Sequence, residues 1–282
     1  MNNFEELKSE KEILSSKSYC KAFQDLEFLE SPACRGIRLE LEFLKPDLAM
    51  MLHHIQSTLV IFGSARIKSP EDAAKALKEA QDALAESPES TDAKKSLKIA
   101  ERDVALSKYY QVARDFGDLV TRASQKMDGT DRTFVVTTGG GGGIMEAGNR
   151  GASEAGGLTI GVNITLPFEQ HPNPYITPEL TFLLHYFSVR KMHFLRRAKA
   201  LACFPGGYGT MDELFEVLTL VQTGKIKPIP ILLFGREFWE KLINWQYFEE
   251  CGLISEGDLG LMTYCETAQE GWDAICRFYA KM

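Results

Sequence analysis

Apolar residues fall along this chain in two rhythms. Short β-branched or wholly apolar runs occur at Thr58–Phe62, Thr133–Thr137, Leu158–Val162, Thr181–Phe187, Ala200–Phe204 and Ile229–Phe234. Runs of this length, bounded by turn residues, predict buried strands. Between them the spacing becomes helical. Leu97, Ala100, Val104, Tyr110, Phe116, Leu119 and Val120 form one stripe, and Leu214, Val217, Leu218 and Val221 another. The segment after Phe234 reads as helix only, over 236–250 and 268–279. Strands alternating with helices predict an α/β fold with a doubly wound, mostly parallel sheet.

Two regions stand apart from this alternation. Residues 1–57 form an N-terminal extension, with breaks expected at Ser31-Pro32 and Lys45-Pro46. Ile37, Leu39, Leu41 and Phe43 alternate as in a strand. Ile37, Leu41, Leu44, Leu48, Met51, Leu52 and Ile55 fit a helical stripe, and the helix is preferred. Within the 58–282 domain, a helical hairpin is inserted at about 71–125. Ser69 caps its first helix, Pro70 opens it, and a polar tip at 87–92 is expected to project. The proline-bearing stretch 168–178 reads as a loop able to cover a pocket.

Composition narrows the function classes. The chain has 282 residues, 44% hydrophobic and 25% charged, with net charge -7. That balance carries no nucleic-acid footprint. No apolar run reaches membrane-spanning length. The N-terminus lacks a signal peptide's apolar core. Six scattered cysteines without a C-x-x-C pair read as reduced thiols and no zinc site, so a cytoplasmic protein is expected.

The candidate chemistry lies where strands end. Phe204–Glu213 reads F-P-G-G-Y-G-T-M-D-E, an apolar run, a glycine turn and a helix start. Gly206, Gly207 and Gly209 let backbone approach a ligand, and the helix start offers N–H groups to a phosphate. Thr210 adds a hydroxyl. Glu213 stands about one turn in, as an acid at that mouth or as a helix cap. Gly63, Ser64 and Arg66 close the first strand, either as a phosphate loop or as a plain turn. Gly139, Gly140, Gly141 and Gly142 follow the second strand, with Met145 just beyond. Ligands of open α/β sheets bind beyond the strands' carboxyl ends, so the three loops jointly describe a pocket for a phosphorylated nucleoside. The chain lacks G-x-x-x-x-G-K-[ST], which argues against a P-loop triphosphatase.

P-G-G-Y-G-T-M-D-E fits P-G-G-x-G-T-x-x-E, and the chain resembles the Lonely Guy (LOG) family on that motif. Arg190-Lys191 stands about fifteen residues before the motif's proline, as the family's Arg-Lys pair does. Arg196, the Gly139–Ala147 loop and Phe62–Arg66 also match family positions. The resemblance runs from about Thr58 to Phe234. The long hairpin and the N-terminal extension depart from compact members. The resemblance implies a Rossmann-like fold and hydrolysis of the N-glycosidic bond of a nucleoside 5′-monophosphate, AMP or an N6-modified AMP, to free base and ribose 5-phosphate. It makes Glu213 and Arg190 the catalytic pair, with Lys191 among the phosphate-side residues. It calls for no cofactor and no metal, and it implies a homodimer or a higher even homo-oligomer. The alternative is a carrier or sensor of a nucleotide or molybdenum cofactor that performs no hydrolysis. Decarboxylation would need a pyridoxal-phosphate lysine, and no feature of the sequence supplies one.

Overall fold

The computed structural model describes residues 9–125, 132–167 and 171–281. The reading of the first eight residues and part of the 168–178 loop lie outside them. The chain divides into two compact units, Met1–Lys45 and Pro46–Met282.

The first unit contains α1 (Glu10–Leu14) and α2 (Leu26–Glu30). In α1, Ser9 and Glu12 close a reciprocal capping box, and Asp25 caps α2. A third helix, α3 (Arg35–Leu52), starts here as the stripe predicts. The break expected at Lys45-Pro46 does not occur, since Pro46 lies inside α3. Proline removes one helical hydrogen bond. Burial of Pro46 offsets that loss, as does an anchor on the next residue. Asp47 is buried and receives Arg196 at 2.9 Å and Arg197 at 2.8 Å.

The second unit is built on seven strands. They are β1 (Thr58–Phe62), β2 (Val135–Thr138), β3 (Thr159–Ile164), β4 (Thr181–Leu184), β5 (Ala198–Cys203), β6 (Ile231–Phe234) and β7 (Met262–Cys265). All pairings are parallel, in the order β4-β3-β2-β1-β5-β6-β7. The expected doubly wound Rossmann-like sheet is therefore present. Its strand order reverses at β1, with β2 on one side and β5 on the other. A sheet of this kind opens a crevice at that switch point.

Two strand readings need correction. Thr181–Phe187 is strand only to Leu184, because α7 (Phe187–Arg196) takes over. The region after Phe234 is not all helix, because Met-Thr-Tyr-Cys of β7 extends the sheet. A four-residue edge strand with an exposed Thr263 gives no apolar run to read. Around it lie α9 (Arg236–Leu242), α10 (Trp245–Glu250) and α11 (Ala268–Ala280). Asn244 caps α10 and splits the single helix expected over 236–250.

The hairpin forms from α4 (Pro70–Glu86) and α5 (Thr91–Ser124), with Ser69 and Ser90 as N-caps. The far half of α5 belongs to the core, where Tyr110, Phe116 and Val120 pack with Leu59, Ile61, Phe204 and Phe234. It crosses α6 (Ile144–Glu154) at backbone distance. A methyl group added at Gly151 would lie 1.9 Å from the Arg114 carbonyl, and one at Gly117 would lie 2.4 Å from that of Gly148. This contact presses α6, and the glycine loop before it, onto the sheet. The motif helix α8 (Tyr208–Gln222) leaves β5 on the other side of the switch point.

Candidate active site

The three glycine loops meet. Ser64 N–H donates to the Pro205 carbonyl at 3.0 Å, tying the β1 loop to the β5 loop. Ile144 N–H donates to the Ser64 carbonyl at 3.1 Å, tying in the loop after β2. Gly143 makes this possible with φ 66, and a Cβ there would lie 2.3 Å from the Ser64 oxygen. Gly63 gives way in turn to the Ile144 side chain.

These loops wall a cavity of about 620 Å³ at the switch point. Gly63, Ser64 and Arg66 line it from β1, Gly139 and Met145 from the second loop, and Gly206, Gly207, Gly209, Thr210 and Glu213 from the motif. Arg190 lines it from α7. Eleven of the expected site residues thus contribute to one wall. Gly140, Gly141, Gly142 and Lys191 do not line it.

Gly140 and Gly141 stand behind the wall in a buried polar network. Asn173 donates its side-chain N–H to the carbonyls of Gly140 (3.3 Å) and Gly141 (3.0 Å) and to Asn149 Oδ1 (2.9 Å). Thr138 donates its hydroxyl to Asn149 Oδ1 and accepts the Gly140 N–H. Asn149 donates to the Thr159 hydroxyl at 2.6 Å. Sequence reasoning passed over Thr138, Asn149 and Asn173. Their partners lie on different elements, so no local pattern marks them. Phe187, Ile164 and Leu166 supply apolar wall that was likewise not foreseen.

The motif helix opens on Gly207 as N-cap, with no side-chain cap. Tyr208 and Gly209, first in the helix, have N–H groups with no helical acceptor behind them. The Thr210 N–H turns back to the Gly207 carbonyl at 3.0 Å, so it is engaged within the turn. Gly206 is required by packing, because its Cβ would meet Thr210 Oγ1. Gly207 and Gly209 are not. A Cβ at either would touch nothing within 4 Å, and neither has a positive φ. Their missing side chains leave bare backbone at the cavity mouth.

Glu213 is the unusual group. It is 5% exposed, and its Oε2 is buried without a hydrogen-bond partner. Burial pushes its carboxyl up to about 7; Lys191 opposes the rise, and Glu216 and Asp212 add to it. Arg190 reaches it through space and lowers the carboxyl by less than Lys191 does. The Arg190 guanidinium instead donates to the backbone, Nε to the Val162 carbonyl at 2.9 Å and an Nη to Gly139 at 3.3 Å. Gly139 has no side chain to obstruct this, as a Cβ there would lie 2.6 Å from Arg190 Nη2 and 2.8 Å from Met145 Sδ. Phe194 and Phe187 flank the cation at 5.2 and 6.0 Å. Burial draws Arg190 down from the ordinary guanidinium value, and the charge on Glu213 draws it back up.

A buried carboxylate with one oxygen free of hydrogen bonds, beside a backbone cradle and in the field of a fixed guanidinium, can stabilise a developing cation or accept a proton from water. Among the described residues no group of three His, Cys, Asp or Glu side chains could hold a metal. No helix among them is long and apolar enough to cross a membrane.

Fold and site together define a Rossmann-like α/β protein whose glycine loops close on one cavity at the switch point. Residues 145–275 match the family described as possible lysine decarboxylase. A probable cytokinin riboside 5′-monophosphate phosphoribohydrolase of Oryza sativa subsp. japonica, LOGL3, is 34% identical over 30% of this chain and 41% of its own. The Arabidopsis thaliana enzyme LOG5 is 29% identical over 42% and 51%. The Rhodococcoides fascians phosphoribohydrolase is 28% identical over 49% and 66%. The chain thus spans about half the length of these curated relatives. The LOG-family resemblance read from the motif is borne out as a similarity to these relatives over part of the chain. Among solved structures, a molybdenum cofactor binding protein from Rippkaea orientalis aligns with TM-score 0.44 at 19% identity, over 61% of this chain and 88% of its own.

Proposed function

We propose that this protein hydrolyses the N-glycosidic bond of a nucleoside 5′-monophosphate, AMP or an N6-modified AMP, releasing free base and ribose 5-phosphate. One observation carries the reading, the buried Glu213 carboxylate, its Oε2 without a hydrogen-bond partner, in the wall of a glycine-lined cavity. The names of the LOG relatives point to the same reaction class.

The geometry suits such a reaction. The 5′-phosphate sits at the start of α8, where bare backbone at Gly207 and Gly209 admits it and the helix end favours an anion. That places the ribose one helical turn from the phosphate, toward Glu213. As the bond from C1′ to the base nitrogen stretches, C1′ gains positive charge. The ionised Glu213 stabilises that charge and orients the attacking water. Water supplies the hydroxyl that ends on C1′, and the proton leaves with the base. Arg190, fixed by two backbone carbonyls, contributes a positive field toward phosphate and ribose and favours the ionised form of Glu213. Met145 and Phe187 offer apolar surface to the base. A homodimer or a higher even homo-oligomer is part of the proposal.

The test is a panel of AMP, N6-prenylated AMP, adenosine and ATP scored for free base. Release from monophosphates, with little from adenosine, is the expected result. Tight retention of a monophosphate with no release from any member of the panel would replace hydrolysis by carriage.

A further inference from the structure

Lys191 was expected among the phosphate ligands, yet its ammonium is already engaged. It lies 2.7 Å from Glu216 Oε2, 2.9 Å from Asp212 Oδ2 and 3.9 Å from Glu213 Oε1. Its side chain is largely covered, and it is absent from the cavity wall. Asp212 and Glu216 stand on α8 on either side of Glu213 in sequence and are much more exposed than it. The spacing of Asp212 and Glu216, four residues apart, puts both on one helix face, where one cation can bridge them. The other charged group facing Glu213 is Arg190, also from α7. Cys203 of β5 lies near too, but burial pushes its thiol up and keeps it neutral.

We propose that Lys191 is a positioning residue, held by Asp212 and Glu216 so that these two exposed acids decide how much of its positive field reaches the buried Glu213. The two short contacts restrain the amine, and the long one leaves Glu213 outside hydrogen-bond range. With three carboxylates on one ammonium, Glu213 has only a share of a counter-charge. Removing an outer acid hands that share to Glu213, and removing Lys191 takes it away. The arrangement gives Asp212 and Glu216 a part in the reaction although neither need touch substrate. It also separates the two neighbours Arg190 and Lys191, since the first looks into the cavity and the second acts from behind α8.

The inference builds on the proposed role of Glu213, but it can be tested without turnover. Protein labelled with 13C at the glutamate carboxyl is titrated by NMR, with the Glu213 signal assigned by its loss in E213Q. K191M is expected to move the Glu213 midpoint up by about one pH unit. E216Q and D212N are each expected to move it down, and K191R to leave it near the wild-type value. Ribose 5-phosphate affinity at a pH where Glu213 is protonated is expected to change less than threefold in K191M. An unmoved midpoint in K191M, an upward shift in E216Q or D212N, or a tenfold loss of ribose 5-phosphate affinity in K191M would overturn the proposal. The two acids are partly exposed, so their variants test it even if K191M fails to fold. A protein that keeps this order of midpoints but releases no base retains the inference and loses the proposed function. One that releases base without the order does the reverse.

Discussion

Gly207 and Gly143 are both glycine for reasons the structure separates. Gly143 has a positive φ and faces the Ser64 carbonyl, so Gly143→Ala introduces strain and a clash. A loss of about 2 kcal/mol or more is expected in denaturant unfolding. Gly207→Ala meets open space. Its stability is expected to stay within about 0.5 kcal/mol, while monophosphate affinity measured by calorimetry falls at least about tenfold, since a methyl group fills the proposed cradle. Equal affinity in Gly207→Ala would remove the backbone from phosphate binding. The motif made Gly206, Gly207, Gly209 and Glu213 legible, because one contiguous stretch carries them. The true company of Lys191 was not legible. Asp212 and Glu216 follow it by more than twenty residues, and only the packing of α7 against α8 brings them to its amine.

At the scale of elements, the loop after β2 depends on side chains buried beneath it. Asn149 is fully buried and bonded to Thr138, Thr159 and Asn173; Asn173 in turn holds the carbonyls of Gly140 and Gly141, and Thr138 the Gly140 N–H. Asn149→Ala leaves these partners unsatisfied. A cost of about 2–4 kcal/mol is expected, read as a lower midpoint in thermal or urea unfolding. An unchanged midpoint would show that the network is not what holds the loop. Six of the seven strands announced themselves as apolar runs, the five inner ones because a strand covered on both faces must be apolar throughout. Part of β4's expected length went to α7, and β7 was missed, because edge strands are short and half exposed. Pro46 misled for a different reason. A proline is a local signal, whereas the Asp47 ion pairs that fix the next turn reach residues about 150 positions away.

For the whole molecule, a buried carboxyl near 7 links folding to pH. The Glu213 carboxyl is raised in the fold above its ordinary 4.5. The neutral form is therefore favoured by folding. Its contribution is fully present below about 4.5 and is lost as pH rises through about 7. Glu213→Gln removes that loss. The variant is expected to gain stability over wild type between those limits, up to about 3 kcal/mol above pH 8 on the linkage relation. Chemical unfolding of both proteins at pH 4 and pH 8 measures it, and a difference that does not grow with pH would contradict the burial of a charge. Hydrolysis has the opposite requirement, since the ionised carboxylate does the work. The acid limb of the rate profile should thus fall with a midpoint near 7.

The α/β architecture was legible from alternation alone, while the depth of the hairpin's involvement was not. The far half of α5 crosses α6 at Gly151 and forms core, a contact that no stretch of sequence displays. That contact, with the strand order around β1, brings the glycine loops together over Glu213.

The central claim is tested most directly by one side-by-side measurement, base release from AMP and AMP binding by calorimetry in wild type and Glu213→Gln. The account predicts that the variant loses at least about a hundredfold in turnover and still binds AMP within a few-fold. Wild-type turnover in Glu213→Gln would contradict it.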